Sequence, residues 1–364
     1  MTKTGNKSKI KVALDISPTK NQNAKRGVGF YTSRVAKALQ ELIKKDPRYH
    51  AWQIDLVTDS NPSLSLNYDL IHYPYFDPFF STLPKIGKTP TIVTVHDLTP
   101  LKFKKQYPVG IKGSFRWQGQ KKRLKKASFI ITDSHSSKYD ISNLTHYPPE
   151  RIYPIYLAAD PIFRPLPALA LKKIKEKYNL PSQFVLYVGD INWNKNIPNL
   201  IKACEQLNYP LFIAGSSATQ KDVPLHPWTK DLLWLQEKLK SSSPKNLKAL
   251  GFVPNEDLAG IYSLATLYCQ PSYAEGFGLP LLEAMASGCP TVYSSQTSLP
   301  EVADYCGEFF DPWEKHDLQK SLKKVWESPS LQKSLVQKGL KRATMFTWEK
   351  TALQTIGVYE LALN

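Results

Sequence analysis

The sequence of 364 residues has little cysteine, and its four cysteines show neither Cys-x-x-Cys spacing nor a disulfide-rich pattern. No apolar run approaches the roughly 18 residues that a membrane-spanning helix needs. The polar start of the chain lacks the apolar core of a signal peptide. Together these absences predict a protein of the reduced cytoplasm that does not span a membrane.

Acidic residues are scarce in the first half of the chain. Residues 1–165 carry 27 Lys and Arg against 12 Asp and Glu, whereas the remainder carries 21 against 19. An anionic partner is therefore expected to meet the first half. Few aromatic residues are interleaved with these basic residues, so the base-stacking platform of a nucleic-acid binder is not favoured.

A basic helix is predicted over residues 112–126, with a thin apolar face. Its charge near an aromatic side chain favours contact with an anionic membrane surface, although a solvated helix face remains the alternative. The residues that carry this prediction are Trp117, Lys121, Lys122, Arg123, Lys125 and Lys126.

The length predicts two or three domains, and the apolar share of 42% is ample for packed cores. Apolar runs that alternate with helical patterns predict an α/β fold with parallel sheets. A proline-rich, non-periodic stretch, 159–167, separates two such regions and is interpreted as a linker. We find no internal repeat.

Two features of the first region lie at predicted strand ends. Gly27 and Gly29 follow the first strand, where small residues permit close backbone approach. His96 follows the strand 91–95, and ligands of open α/β sheets lie outside the carboxyl ends of strands. The alternative interpretations are that the two glycines only form a tight turn and that His96 has a purely structural role.

Residues 271–292 form the most informative stretch. A short strand precedes the turn Glu275-Gly276-Phe277-Gly278, and Pro280 opens a helix that places Glu283 in its first turn. Free N–H groups and the helix dipole make such a helix start an anion site, and ionised carboxylates beside it accept hydrogen bonds from sugar hydroxyls. A hydrolase using the two acids would need them about 5–9.5 Å apart, but the anion site favours a phosphate-bearing donor.

The spacing Glu275-(seven residues)-Glu283 around Gly-Phe-Gly-Leu-Pro resembles the signature of retaining glycosyltransferase family 4. The resemblance implies a GT-B fold: two facing Rossmann-like domains with parallel sheets and a C-terminal helix that crosses back to the first. We expect an acceptor-binding domain over 1–163, a donor-binding domain over 164–346 and the returning helix over 347–364.

The resemblance also implies roles for single residues. Glu283 is expected to hold the ribose and Glu275 the hexose, while the backbone from Phe277 to Leu279 faces the diphosphate. His96 is interpreted as a donor-sugar contact and proton relay, and the glycine loop lies on the acceptor side. The expected donor-binding set is Asn194, Lys195, Gly276, Phe277, Gly278, Leu279 and Glu283.

One departure from the family pattern lies in the loop that follows the strand 184–188. Lys195 matches the lysine that family members use for the diphosphate, but their arginine has no match. Asp190 and Asn194 stand where it commonly occurs. The backbone or a neutral amide is the expected substitute.

The function that these features predict is transfer of a hexose, first guessed as mannose from GDP-mannose, to a lipid-linked or polysaccharide acceptor. No cofactor and no metal are expected, since the chain has no Asp-x-Asp. The enzyme is expected to lie peripherally on the inner face of the cytoplasmic membrane. The alternatives are a GT-B nucleotide-sugar epimerase and a non-catalytic nucleic-acid-binding protein.

Overall fold

The structure is a computed structural model that describes residues 9–21, 23–24, 27–58, 67–241 and 246–364. It divides into two compact units. The first contains described residues of 1–102, 109–157 and 347–364, and the second contains those of 103–108 and 158–346. The second unit thus begins at residue 158, before the predicted boundary at 163/164, and includes a short segment from the first half of the chain.

The first unit contains a parallel sheet of six described strands in the order β2-β1-β3-β4-β5-β6. Its core strands are almost entirely buried, as expected of a sheet covered on both faces. The strands are β1 (Ile10–Asp15), β2 (Trp52–Val57), β3 (Leu70–Tyr73), β4 (Thr91–Thr94), β5 (Phe129–Thr132) and β6 (Ile152–Pro154). The helices between them are α1 (Gly27–Lys45), α2 (Thr99–Lys102), α3 (Gly110–Leu124) and α4 (His135–Thr145).

The second unit contains another parallel sheet of six described strands, in the order β12-β11-β10-β7-β8-β9. Its strands are β7 (Val185–Val188), β8 (Leu211–Ala214), β9 (Leu247–Gly251), β10 (Leu267–Gln270), β11 (Thr291–Ser294) and β12 (Glu308–Phe310). Its helices are α5 (Ala168–Tyr178), α6 (Ile197–Leu207), α7 (Lys230–Ser241), α8 (Asn255–Leu264), α9 (Leu279–Ala286), α10 (Leu299–Ala303), α11 (Asp317–Trp326) and α12 (Pro329–Ala343).

The last helix, α13 (Trp348–Leu363), packs against α1 and belongs to the first unit. Its Tyr359 hydroxyl lies 2.7 Å from Nδ1 of His72, whose Nε2 lies 2.8 Å from the Thr94 hydroxyl. His72 is fully buried, and burial lowers its pKa to about 3, so it is a neutral bridge between helix and sheet. The C-terminal helix therefore returns to the first unit, and the predicted GT-B class is confirmed.

The stretch 317–336 is mostly helical, and within it Ser328 caps a new helix with Pro329 at its start, so α11 and α12 are separate. The short edge strand β12 has too few residues for its periodicity to be visible in the sequence. No helix among the described residues is long and apolar enough to cross a membrane.

Candidate functional site

The second sheet has a point at which its connections change direction. β7 and β10 are hydrogen-bonded neighbours, yet the chain runs from β7 to β8 and β9 on one side and from β10 to β11 and β12 on the other. Ligands of such sheets lie outside the carboxyl ends of the strands at this point. The loops that leave β7 and β10 there, residues 189–196 and 271–278, carry the predicted Lys195 and Glu275.

Asn194 joins these two loops. Its side-chain Nδ2 donates to the backbone carbonyl of Ala274 at 2.9 Å, and its backbone carbonyl accepts from the backbone N–H of Tyr273 at 2.7 Å. Its Oδ1 accepts from the Tyr107 hydroxyl at 2.5 Å. Because both ends of this buried amide are engaged by protein, the geometry favours a structural role, and the predicted donor contact of Asn194 receives no support from it.

Lys195 and Glu275 form an ion pair across the two loops. Nζ of Lys195 lies 2.8 and 2.6 Å from the two carboxylate oxygens, and the side chains are only 20% and 9% exposed. Glu275 Oε1 also accepts from Gln270 Nε2 and from Ser272 Oγ, each at 2.6 Å. The structure thus brings two predicted site residues together in a pair whose charges and hydrogen bonds are largely satisfied.

The turn that follows β10 positions the start of α9. Gly278 has a φ of +93°, and a side chain there would run into Leu299, so glycine is required. Gly276 and Phe277 are buried beside it, and Leu279 is the first helical residue. The N–H groups at a helix start lack intrahelical partners and carry the positive end of the helix dipole. The predicted anion site therefore has a defined backbone geometry.

Glu283 lies one position further along α9 than expected. The helix begins at Leu279, so this carboxyl is in the second turn and is only 9% exposed. Burial raises its pKa to about 7, although the Tyr262 hydroxyl, which donates to Oε2 at 3.2 Å, favours the charged form. Near neutral pH this carboxyl is therefore divided between its ionised and protonated forms.

The first unit contains a second polar cluster at the ends of β4 and β5. His96 Nδ1 lies 2.7 Å from Asp133 Oδ2, and both side chains are largely buried. Burial disfavours the imidazolium, but the Asp133 and Asp97 carboxylates outweigh it and raise the pKa of His96. Within the described part of the chain, His96 Nε2 is buried without a hydrogen-bond partner. Asp133 therefore orients the ring and leaves Nε2 for another group.

The two glycines of the predicted loop differ in their surroundings. A Cβ atom on Gly29 would collide with the backbone of Asn23 and Ala24, so the loop itself requires this glycine. A Cβ atom on Gly27, the first residue of α1, would meet nothing within 4 Å. Among the described residues, a side chain is thus excluded at Gly29 but not at Gly27.

The predicted membrane-facing residues on and after α3 differ in their contacts and exposure. Lys121 donates to the carbonyl of Leu144 at 3.0 Å and lies over the half-buried Trp117 ring, and Arg123 donates to the carbonyl of Leu83 at 2.7 Å. The exposed members are Lys122, Lys125 and Lys126.

Two apolar side chains on the same helix were not predicted. Ile111 is 78% and Phe115 is 75% exposed, one helical turn apart. The thin apolar face of this helix, visible in the sequence, was the signal: it indicates that some of the helix's apolar side chains do not face the core.

Other site residues missed from the sequence are Tyr107, Tyr262, Gln270 and Ser272. Gln270 and Ser272 flank the end of a buried strand, and a polar residue at that place is a usable signal. Tyr107 and Tyr262 reach the site from distant segments, which no local pattern reveals. The described residues contain no group of three His, Cys, Asp or Glu side chains able to hold a metal ion.

Two family models match the chain. "Glycosyl transferases group 1" matches residues 171–342, and "Glycosyltransferase Family 4" matches residues 25–162. The O-antigen chain mannosyltransferase B of Escherichia coli is 31% identical over 302 residues, which is 80% of this chain and 75% of that protein.

Solved structures share the fold across nearly the whole chain. Sucrose-phosphate synthase from Thermosynechococcus elongatus has a TM-score of 0.74 at 19% identity, covering 97% of this chain and 99% of that one. HepE of Anabaena, solved in complex with UDP and glucose, has a TM-score of 0.70 at 16% identity, covering 96% and 99%. The GT-B fold agrees with the family that the sequence models identify.

The raised pKa of Glu283 generates a prediction about stability. Its pKa in the folded state, about 7, lies above its ordinary value of 4.5. The folded state therefore holds a proton that the unfolded state releases, and the parent protein loses stability as the pH rises between these values. Glu283→Gln removes this loss. The free energy of unfolding of the variant minus that of the parent should therefore increase from pH 5 to pH 8, by up to roughly 3 kcal/mol.

Urea unfolding midpoints at both pH values measure this difference. Glu327→Gln, which removes a carboxyl 57% exposed on the same unit, is the matched control and should show no such trend. Parallel pH profiles for parent and Glu283→Gln would contradict the burial of an ionisable carboxyl at this position.

Proposed function

Because this chain belongs to glycosyltransferase family 4, we propose that it transfers mannose, with retention at the anomeric carbon, from a nucleotide sugar to a glycan or lipid-linked acceptor. GDP-mannose is the proposed donor. The observation that carries the proposal is the arrangement at the β7–β10 switch point, where Lys195, Glu275 and the start of α9 converge. The mannosyltransferase relative supports the choice of sugar.

Membership of this enzyme family does not fit the alternative of a non-catalytic nucleic-acid-binding protein. The matches reported above also give no support to an epimerase. A transferase accounts for both the anion site at α9 and the two carboxylates that flank it.

The proposed mechanism begins with the donor diphosphate at the start of α9. Lys195 and the backbone N–H groups there stabilise negative charge that grows on the leaving diphosphate. Glu275 accepts hydrogen bonds from the hexose, and ionised Glu283 accepts them from the ribose hydroxyls. By family resemblance, the leaving phosphate helps to deprotonate the acceptor on the same face of the sugar.

His96 is proposed to contact the donor sugar. Asp133 holds Nδ1, which leaves Nε2 available to a sugar oxygen, and the raised pKa of His96 makes a proton at Nε2 easier to hold. A proton at Nε2 can be donated in a hydrogen bond to a hydroxyl oxygen of the donor sugar, and the ring can act as a proton relay there.

The reaction itself is tested by incubating the protein with GDP-mannose and a mannose-terminated acceptor. We expect an α-linked product in a proton NMR time course, because the reaction retains the configuration of the α-linked donor. Turnover should survive EDTA, since Lys195 and the helix start supply the positive charge that a metal would otherwise provide. A β-linked product would contradict retention, and turnover restored only by Mg²⁺ or Mn²⁺ would contradict metal independence.

The Lys195–Glu275 pair generates a sharper prediction. Lys195→Met removes a charge-assisted contact to the diphosphate, so affinity for GDP should fall about 10- to 100-fold. Glu275→Gln leaves the lysine uncompensated, so GDP affinity should hold or rise while turnover falls. Isothermal titration with GDP and steady-state turnover together separate the two effects.

Lys324→Met is the matched control, since it also breaks a lysine–glutamate pair of the second unit, with its lysine 59% exposed. It should leave GDP affinity unchanged. An equal loss of GDP affinity in Glu275→Gln and Lys195→Met would mean that the pair acts as one structural unit and that the separate roles are wrong.

We also propose that the first unit docks on an anionic membrane surface, on the inner face of the cytoplasmic membrane. Exposed Lys122 on α3, with Lys125 and Lys126 just after it, supplies charge, and exposed Ile111 and Phe115 on α3 supply apolar surface. Basic side chains near an anionic bilayer contribute about 1 kcal/mol each. Apolar side chains that insert into the bilayer add a contribution to the binding free energy that salt does not screen.

Sedimentation with phosphatidylglycerol vesicles tests this surface. Changing Lys122, Lys125 and Lys126 to Gln should abolish most binding at low salt, and Ile111→Ser with Phe115→Ser should remove the binding that persists at high salt. A matched control changes Lys172, Lys173 and Lys175, three exposed lysines of α5, to Gln and should bind as the parent does. Equal binding to neutral phosphatidylcholine vesicles would contradict the proposal.

A further inference from the structure

A pocket of about 310 Å³ lies at the end of β12, apart from the Lys195–Glu275 pair. The loop 311–316, the first turn of α11 and the first turns of α6 form its walls, and Tyr273 contributes from the β10–α9 loop. The volume is at the lower end of the range of small-molecule pockets, about 300–1,000 Å³. No role in the proposed transfer reaction uses this pocket.

Three aromatic rings stack in a row, and the last of them, Trp313, lines the pocket. Trp193 stacks on Tyr273 at 4.9 Å and 22°, and Tyr273 stacks on Trp313 at 4.3 Å and 23°. Both faces of Tyr273 are therefore covered, whereas Trp313 is covered on one face and remains 56% exposed. An exposed indole held by stacking presents a rigid, flat apolar surface to solvent.

The loop that carries Trp313 is fixed by hydrogen bonds. The amide of Trp313 donates to Asp311 Oδ1 at 3.0 Å, and the amide of Asp311 donates to Asp317 Oδ2 at 2.9 Å. The exposed ring thus sits on a braced backbone, which lowers the ordering cost of any ligand that stacks on it.

Polar side chains line the pocket around this ring with nearly balanced charge. Lys202 and Lys315 contribute positive charge, and Asp311 and Glu314 contribute negative charge. Asn199 lies among them and donates to the Tyr273 hydroxyl at 2.9 Å. This set provides hydrogen-bond donors and acceptors in similar number.

We propose that this pocket binds a neutral saccharide whose pyranose ring stacks on the free face of Trp313. The C–H face of a pyranose matches the apolar indole, and its hydroxyl groups, which both donate and accept, match the mixed polar wall. The proposal assigns a saccharide site outside the catalytic residues, able to hold a glycan chain on the second unit. It depends on the proposed function only for the choice of a mannose-based probe.

Saturation-transfer NMR with α-mannotriose, in the absence of nucleotide, tests the site. The parent should show saturable binding, and Trp313→Ala should weaken it by about tenfold or more, because stacking on the indole is lost. Trp234→Ala removes another partly exposed tryptophan, 38% exposed on α7, and should bind as the parent does.

Lys195→Met separates this proposal from the proposed function. This variant should bind mannotriose through Trp313 as the parent does, although its affinity for GDP falls. If the protein binds mannotriose but shows no transferase activity, the saccharide site is supported and only the proposed function is contradicted. Absence of saturable binding in the parent, or equal binding by the parent and Trp313→Ala, would overturn the proposal. So would GMP displacing mannotriose in Lys195→Met, since the pocket would then be a nucleotide site.

Discussion

The arrangement of the candidate site depends on the hydrogen bonds by which Asn194 joins the loop after β7 to the loop after β10. Loops are surface segments whose positions are set by few contacts. Here the amide of one buried residue engages both loops and Tyr107 at once. The Lys195–Glu275 pair and the stacking of Trp193 on Tyr273 follow from the same alignment. Asn196, which donates to the carbonyl of Pro271, and Ser298, which donates to the carbonyl of Phe277, reinforce the same alignment.

Charge compensation in the site follows from its burial. A buried cation costs free energy unless it is paired, and Glu275 supplies that pairing while Gln270 and Ser272 satisfy one of its oxygens. Glu283 receives, among the described residues, one hydrogen bond, from Tyr262, and burial raises its pKa to about 7. The two carboxylates of one sequence motif thus lie in different environments. The paired one is suited to fixed electrostatics, and the poorly compensated one is suited to accept new hydrogen bonds from a ligand.

Much of the fold could be predicted because parallel buried strands are short apolar runs, and residues such as His96 and Glu275 lie in the segments that follow them. Side-chain environments could not be predicted in the same way. The sequence shows that Lys121 and Arg123 are charged, but only the tertiary structure shows that two backbone carbonyls hold them. Likewise, residues 103–108 lie in the first half of the chain yet belong to the second unit, where Tyr107 supports Asn194.

The absent arginine now has a physical consequence. Asn194 occupies one of the positions where family members commonly carry it, and its amide joins the loops instead of facing an anion. Lys195 is then the sole basic residue of the loop 190–196, and Glu275 offsets its charge. In the proposed function, neutralisation of the donor diphosphate would therefore fall largely to the N–H groups and the dipole at the start of α9. Directional N–H groups on a rigid turn recognise the geometry of a phosphate group, whereas a free cation recognises mainly its charge. If the proposed donor binds here, its selectivity is expected to rest more on the backbone around Gly278 than on any single charged side chain.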